Sequence, residues 1–148
     1  MKNVTLSSGT NFIESLVHLS DIHIRLYQYH DVYETVFRNL YEQLDQHVLD
    51  NSVIVITGDL LHSKNQLSPE CTNVTIDFLE QLARRAPTLL VAGNHDALLD
   101  NANRLDSISS ILYKRTIPNL HYLKDSGIYT YNNICLLYTS DAADETTG

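Results

Sequence analysis

Basic residues are scarce in this chain. Its 148 residues include 10 Lys and Arg against 18 Asp and Glu, which gives a formal net charge of -8. A protein that holds a nucleic acid backbone by its own charge carries a basic patch or stripe. The composition therefore gives no electrostatic sign of a nucleic-acid-binding surface, and the length fits one domain or less.

Long hydrophobic runs and a cysteine framework are also missing. No stretch approaches the roughly 20 apolar residues of a membrane span, and Met1 to Asn11 lacks the apolar core of a secretory signal. Of the two cysteines, Cys71 lies in a helical pattern and is interpreted as a small core residue. We therefore expect a cytoplasmic protein without disulfides and without a membrane partner.

What the sequence does contain is an alternation of short apolar runs and amphipathic segments. The runs at 16–20, 53–57 and 88–92 predict buried strands. Helices are predicted over 31–48 and, after the cap Ser68 and Pro69, up to Arg85. A short helix at 104–113 and weaker strands at 121–123 and 128–131 follow. This order predicts an α/β fold with a mostly parallel sheet and flanking helices.

Each of the three apolar runs is followed directly by carboxylate, imidazole or amide side chains. Ligands at the carboxyl ends of neighbouring parallel strands can converge on one point. Asp and His together suit divalent cations such as Mn, Fe or Zn. Two such ions can stabilise both the attacking and the leaving oxygen of a phosphoryl displacement. The residues concerned are Asp21, His23, Asp59, His62, Asn94, His95 and Asp96.

The motifs D-x-H, G-D-x-x-H and G-N-H-D occur in the order found in a known family. Over about residues 16–134 the chain resembles the calcineurin-like metallophosphoesterase superfamily. The resemblance implies an αββα sandwich, of which this chain would be the N-terminal part only. The family continues with another His and a G-H-x-H motif. Neither follows Asp96, because the only later histidine, His121, lacks that context.

The resemblance also implies roles for the motif residues. Asp21 and His23 would bind one divalent ion, Asp59 would bridge two ions, and Asn94 would bind the second. Manganese is the expected metal, with iron or zinc as alternatives.

The two residues after Asn94 would be catalytic. His95 would act as general acid or as a cation on the transition-state phosphate, and Asp96 would orient His95. An alternative for Asp96, a carboxylate that caps its own loop, stays open at this point.

His62 indicates a subfamily. The two arginines that hold a phosphate monoester in the protein phosphatases of the superfamily are absent from the corresponding motifs. The segment around Asp59 and His62 instead resembles the nuclease subunit of SbcCD-type DNA repair complexes, where this His helps to place the DNA phosphodiester. The resemblance implies a DNA substrate, an ATPase partner subunit and a homodimer at full length. Alternatives are a small phosphodiesterase and a metal-free regulatory binding module.

Three tyrosines follow the first motif: Tyr27, Tyr29 and Tyr33. They could stack on nucleic acid bases or pack on a helix face. The sequence leaves both interpretations open.

The tail from Cys135 resembles a translated transposon-end sequencing adapter, residue for residue through Asp144. We therefore expect an N-terminal extension at 1–14, a partial phosphoesterase domain at 15–134 and a non-native tail at 135–148. Residues after Ile134 are expected to pack irregularly. Because the later histidines are missing, we expect this chain by itself to be inactive or nearly so.

Overall fold

The structure is a computed structural model that describes residues 1–48, 50–93, 96 and 105–139. It contains three helices within these residues: α1 (His30–His47), α2 (Pro69–Arg85) and α3 (Ser107–Ile111). The strands of the same residues are β1 (Lys2–Ser7), β2 (Ser15–Leu19), β3 (Ser52–Ile56), β4 (Thr88–Val91), β5 (Leu120–Leu123), β6 (Gly127–Tyr131) and β7 (Ile134–Tyr138).

Four strands form a parallel sheet in the order β2-β3-β4-β5. Its central strand, β3, is buried at all five positions, as expected for a parallel strand covered on both faces. Alternate residues serve the two faces. Ile54 and Ile56 belong to the core beneath the helices, whereas Val53 and Val55 belong to a second core on the opposite side. The predicted α/β fold with a mostly parallel sheet is confirmed.

The helices cover one face of this sheet. In α2 the Ser68 hydroxyl accepts a 3.0 Å hydrogen bond from the Cys71 N–H, and Pro69 occupies the first turn, as predicted. The rings of Phe37 in α1 and Phe78 in α2 lie 4.2 Å apart between centroids and join the two helices. No helix of the described residues is both long and apolar enough to cross a membrane.

A second sheet, in the order β1-β6-β7, lies on the other face. Strands β1 and β6 are parallel, and β6 and β7 are antiparallel. Val4 and Tyr129 from this sheet pack against the core that contains Val53 and Val55. Residues 2–7, which we assigned to an extension, thus supply a strand of the sandwich.

The expectation of irregular packing after Ile134 is wrong for Cys135–Tyr138. These residues pair with β6, and Leu136 and Tyr138 pack against the second core. The physical reason is that apolar residues at alternate positions can fill a sheet edge in any sequence that supplies them. The adapter origin of the tail stays a prediction, and residues 140–148 lie outside the described part.

The predicted helix at 104–113 is shorter in the structure. It covers Ser107–Ile111, and the Asp106 carboxylate caps it by accepting a 2.6 Å hydrogen bond from the Ser109 N–H. Arg104, where we placed its start, lies outside the described residues.

Candidate metal centre

The first two motifs lie side by side at the carboxyl edge of the parallel sheet. Beyond β2 and β3 the backbone pairing continues. The Asp21 N–H donates to the Gly58 carbonyl at 3.2 Å, and the His23 N–H donates to the Asp59 carbonyl at 2.9 Å. The loop residues therefore have a register fixed by the sheet, which places the two motifs next to each other.

The backbone at the predicted ligands adopts an uncommon conformation. Asp21, His23 and Asp59 have φ angles of 56°, 52° and 51°, in the left-handed region. Few residues other than glycine adopt this region, although Asp and His do so more often than most. Such local strain concentrates at functional sites, where the surrounding structure maintains it.

The side chains of Asp21, His23 and Asp59 converge. His23 Nε2 lies 3.7 Å from Asp21 Oδ1 and 3.7 Å from Asp59 Oδ2. One donor atom from each residue lies within 4.8 Å of the other two. The exposed fractions of the Asp21 and Asp59 side chains are 67% and 19%. Solvent therefore reaches the three side chains from the side of Asp21.

This donor set fits a divalent cation. Ligand atoms at about 2.0–2.2 Å from a shared ion lie at most about 4.4 Å from one another, and both 3.7 Å separations satisfy that limit. Two carboxylates and one imidazole are a donor set for borderline metals. We conclude that Asp21, His23 and Asp59 form a candidate metal site.

Neighbouring side chains hold the backbone of His23 and the carboxylate of Asp21. The Tyr33 hydroxyl donates a 2.7 Å hydrogen bond to the His23 carbonyl, and the Ser20 hydroxyl donates to the Asp21 carboxylate. Tyr33 is itself half-buried and stacks on Phe37. For Tyr33, packing on the helix face is therefore the correct interpretation.

Two glycines bring the loop of the third motif next to the loop of the second motif. A Cβ atom on Gly58 would lie 2.7 Å from Gly93 Cα, and one on Gly93 would lie 2.2 Å from both Asp59 N and Asp59 Oδ1. The loops after β3 and β4 are therefore in direct backbone contact. Asn94 and His95, the predicted ligand and catalytic residue, lie outside the described residues.

Asp96 is completely buried and braces two of the loops. Its Oδ2 accepts hydrogen bonds from the N–H groups of Leu60 (3.1 Å) and Gly93 (2.9 Å), and its Oδ1 accepts one from Leu61 (2.8 Å). Burial raises the pKa of the Asp96 carboxyl, while these three hydrogen bonds act in the opposite direction. The contacts are those of the loop cap that the sequence left as the alternative. The predicted role in orienting His95 remains a prediction.

Replacing Asp96 with alanine is expected to lower the free energy of unfolding by about 2–3 kcal/mol, because three N–H groups lose their acceptor in a buried place. Asp96→Asn keeps one acceptor oxygen and is expected to lose less. Urea unfolding of the three proteins followed by circular dichroism measures this. Equal stability of wild type and Asp96→Ala would contradict the bracing role.

His62 lies beside the three converging side chains. Its N–H donates to the Ile24 carbonyl at 3.0 Å, and its ring meets the His23 ring edge-on with centroids 5.6 Å apart. The structure thus brings His62 to the site as the sequence pattern suggested. His18, His30 and His121, which lack motif context, contact Thr57, the Arg25 carbonyl and the Tyr131 ring respectively.

Several viral proteins are similar to this chain. The chain is 44% identical over 137 residues to protein R555 of Acanthamoeba polyphaga mimivirus, which covers 90% of this chain and 10% of R555. It is 33% identical over 63 residues to 244L of Invertebrate iridescent virus 6, and 33% identical over 82 residues to 078R of Invertebrate iridescent virus 3. The latter two are named as phosphoesterases. Their matches cover 43% and 55% of this chain and 22% and 23% of the viral proteins.

The chain therefore spans less than a quarter of the length of each of these relatives. The sequence model of the calcineurin-like phosphoesterases matches residues 15–143. The matched residues include the candidate metal site formed by Asp21, His23 and Asp59. This chain belongs to the calcineurin-like phosphoesterase family.

Proposed function

We propose that the complete protein is a metal-dependent phosphodiester hydrolase that cleaves DNA, as the nuclease subunit of a repair or recombination complex with an ATPase partner. The observation that carries the proposal is the position of His62, whose ring lies 5.6 Å from that of His23 in the candidate metal site. A homodimer is also proposed for the complete protein, because its motifs resemble those of the nuclease subunit of SbcCD-type complexes.

The metal-binding part of the proposal assigns each residue a task. Asp21, His23 and Asp59 would hold divalent ions, Asp59 would be shared between two of them, and Asn94 would complete the second site. Such ions, with manganese as the first choice, supply Lewis-acid stabilisation of the developing charge and a nucleophile near neutral pH. His95 would act as a general acid that protonates the leaving group, or as a cation that stabilises the transition-state phosphate.

His62 would select diesters over monoesters. A monoester carries two negative charges, which the protein phosphatases of the superfamily hold with two arginines. Here the motif has a single imidazole, that of His62. The His62 backbone N–H donates a hydrogen bond to the Ile24 carbonyl, and its ring contacts the His23 ring. One imidazole N–H suits a diester, which carries a single charge and presents two non-bridging oxygens.

Two other functions compete with this one. A small phosphodiesterase would use the same site on nucleotides or other small diesters. A metal-free regulatory module would keep the fold without the chemistry. The convergence of two carboxylates and an imidazole within 4.8 Å favours a metal-dependent function over the module, because divalent cations use this set of donor groups.

The test uses the complete protein, assayed with Mn²⁺ on linear DNA, on bis-p-nitrophenyl phosphate and on p-nitrophenyl phosphate. We expect hydrolysis of the first two, loss of activity with a chelator, and little monoester turnover. His62→Gln should lower kcat/KM on the diesters by about 10- to 100-fold. The chain itself is expected to be inactive or nearly so.

Each outcome discriminates between the proposals. Diester turnover without DNA cleavage would favour the small phosphodiesterase. Failure to bind Mn²⁺ in calorimetry would favour the metal-free module. Unchanged diester kinetics in His62→Gln, with His47→Gln as the exposed histidine control, would remove His62 from the mechanism.

A further inference from the structure

A small cleft opens next to the candidate metal site. It has a volume of about 110 Å³ and is lined in part by His62, whose ring contacts the His23 ring of that site. Its walls come from the loop after the first motif and from the residue after His62. The lining residues are Arg25, Leu26, Tyr27, Gln28, His62 and Ser63.

Arg25 brings a positive charge to this cleft. Within the described part of the chain, no carboxylate oxygen lies within ion-pair distance of its guanidinium. That group instead lies 5.6 Å from the centre of the Tyr29 ring. Arg25 is half-buried as a residue, and its planar guanidinium has two parallel N–H groups with which it can contact an anion. Because the chain has a net charge of -8, Arg25 is a local positive charge that suits a single anion and is not part of a broad basic surface.

The loop that carries these groups is held from both helices, although it has no regular secondary structure. His30 Nε2 is 2.7 Å from the Arg25 carbonyl, and the Ser68 hydroxyl donates to the Leu26 carbonyl. Two aromatic rings nevertheless remain outside the core, with Tyr27 71% and Tyr29 59% exposed. Exposed rings on a braced loop beside a phosphoesterase site are suited to flat ligands, because little ordering is lost on binding.

We propose that this cleft holds one phosphate group of the nucleotide next to the scissile phosphodiester, with the base of that nucleotide outside the cleft. Arg25 would hold the neighbouring phosphate, and Tyr27 would stack on the base. Tyr29 would keep the Arg25 guanidinium in place as a positioning residue. The inference deepens the proposed function and depends on it, since it specifies an unpaired strand or frayed end whose bases are free to stack.

The experiment measures binding of a short fluorescein-labelled single-stranded oligodeoxynucleotide by fluorescence anisotropy, with the present chain and with the complete protein. Arg25→Ala and Tyr27→Ala are each expected to raise the Kd about 10-fold or more. Arg25→Lys keeps the charge but loses the planar fork, so its Kd should fall between those of the wild type and Arg25→Ala. Thermal unfolding of each variant checks that it is folded.

Matched controls come from another surface. Arg115 and Tyr113 are exposed and precede β5, which begins at the opposite edge of the parallel sheet. Arg115→Ala and Tyr113→Ala should leave the Kd within about twofold. Mn²⁺ affinity by calorimetry should not change in Arg25→Ala, because Arg25 does not belong to the candidate metal site.

The outcomes separate this inference from the proposed function. Oligonucleotide binding that is equally strong in all variants would overturn the cleft assignment and leave the nuclease proposal standing. Mn²⁺ binding and bis-p-nitrophenyl phosphate turnover without any oligonucleotide binding by the complete protein would overturn both the nuclease and the cleft. Weakening confined to the Arg25 and Tyr27 variants would support both.

Discussion

Asp59→Asn is expected to lower the Mn²⁺-dependent diesterase activity of the complete protein by about 10³-fold, which corresponds to about 4 kcal/mol of transition-state stabilisation. Asp59 contributes the least exposed carboxylate of the candidate metal site, and its oxygen lies 3.7 Å from His23 Nε2. An amide of the same shape keeps one neutral oxygen but cannot offset the charge of two cations. The loss should therefore come from metal affinity and not from folding.

The measurement combines three readouts. Calorimetry with the present chain should show weaker Mn²⁺ binding, steady-state kinetics with the complete protein should show the loss of kcat/KM, and the Tm should stay within about 2 °C. Asp45→Asn is the control, because Asp45 is an exposed carboxylate paired with Arg85 on the helix surface. Undiminished activity in Asp59→Asn would end the bridging role.

The parallel sheet and its helices could be predicted from local patterns. The run 53–56 is continuously apolar because β3 is buried on both faces. Ser68 followed by Pro69 indicates a helix start, and α2 begins there. Once β2, β3 and β4 are parallel neighbours, the residues that follow them must share an edge. The meeting of Asp21, His23 and Asp59 was therefore predictable from motif order and sheet direction alone.

The second sheet was less accessible to such reasoning. β1 has only two apolar residues, Val4 and Leu6, among its six positions. β7 is apolar throughout, but we assigned it to a non-native tail. Their pairing through β6 also joins Lys2 to Gly127, which are far apart in sequence. No local signal specifies such a contact. In β7, Leu136 and Tyr138 are partly buried against the second core, whereas Cys135 and Leu137 are exposed.

The loops of the site carry information that side-chain type does not reveal. Asp96 and Asp59 are both aspartates in motifs, yet one accepts three backbone hydrogen bonds in full burial and the other faces His23. Arg25 follows the first motif without any recognisable pattern, and only the cleft with His62 makes it conspicuous. The glycines of the second and third motifs could be expected to matter, but their mutual contact is visible only in three dimensions.

Gly93→Ala should affect stability and the metal site together. The added Cβ would lie 2.2 Å from both the backbone nitrogen and Oδ1 of Asp59, far inside van der Waals contact. The Asp59 backbone is held by the hydrogen bond from the His23 N–H to its carbonyl and cannot move aside cheaply, so we expect the free energy of unfolding to fall by about 3 kcal/mol or more. The Asp59 carboxylate would also be displaced from His23, and Mn²⁺ affinity should fall at least about 10-fold.

Gly9→Ala provides the matched control. Its Cβ would lie 3.1 Å from Asn132 Oδ1, the end of a side chain that can shift. Its free energy of unfolding should change by less than about 1 kcal/mol. Urea unfolding and Mn²⁺ calorimetry on the wild type and both variants test the expectation. If Gly93→Ala were as stable as Gly9→Ala and bound Mn²⁺ normally, the two motif loops could not be in the contact that holds Asp59. If it were destabilised but bound Mn²⁺ normally, the contact would be structural only, because the carboxylate would have kept its place beside His23.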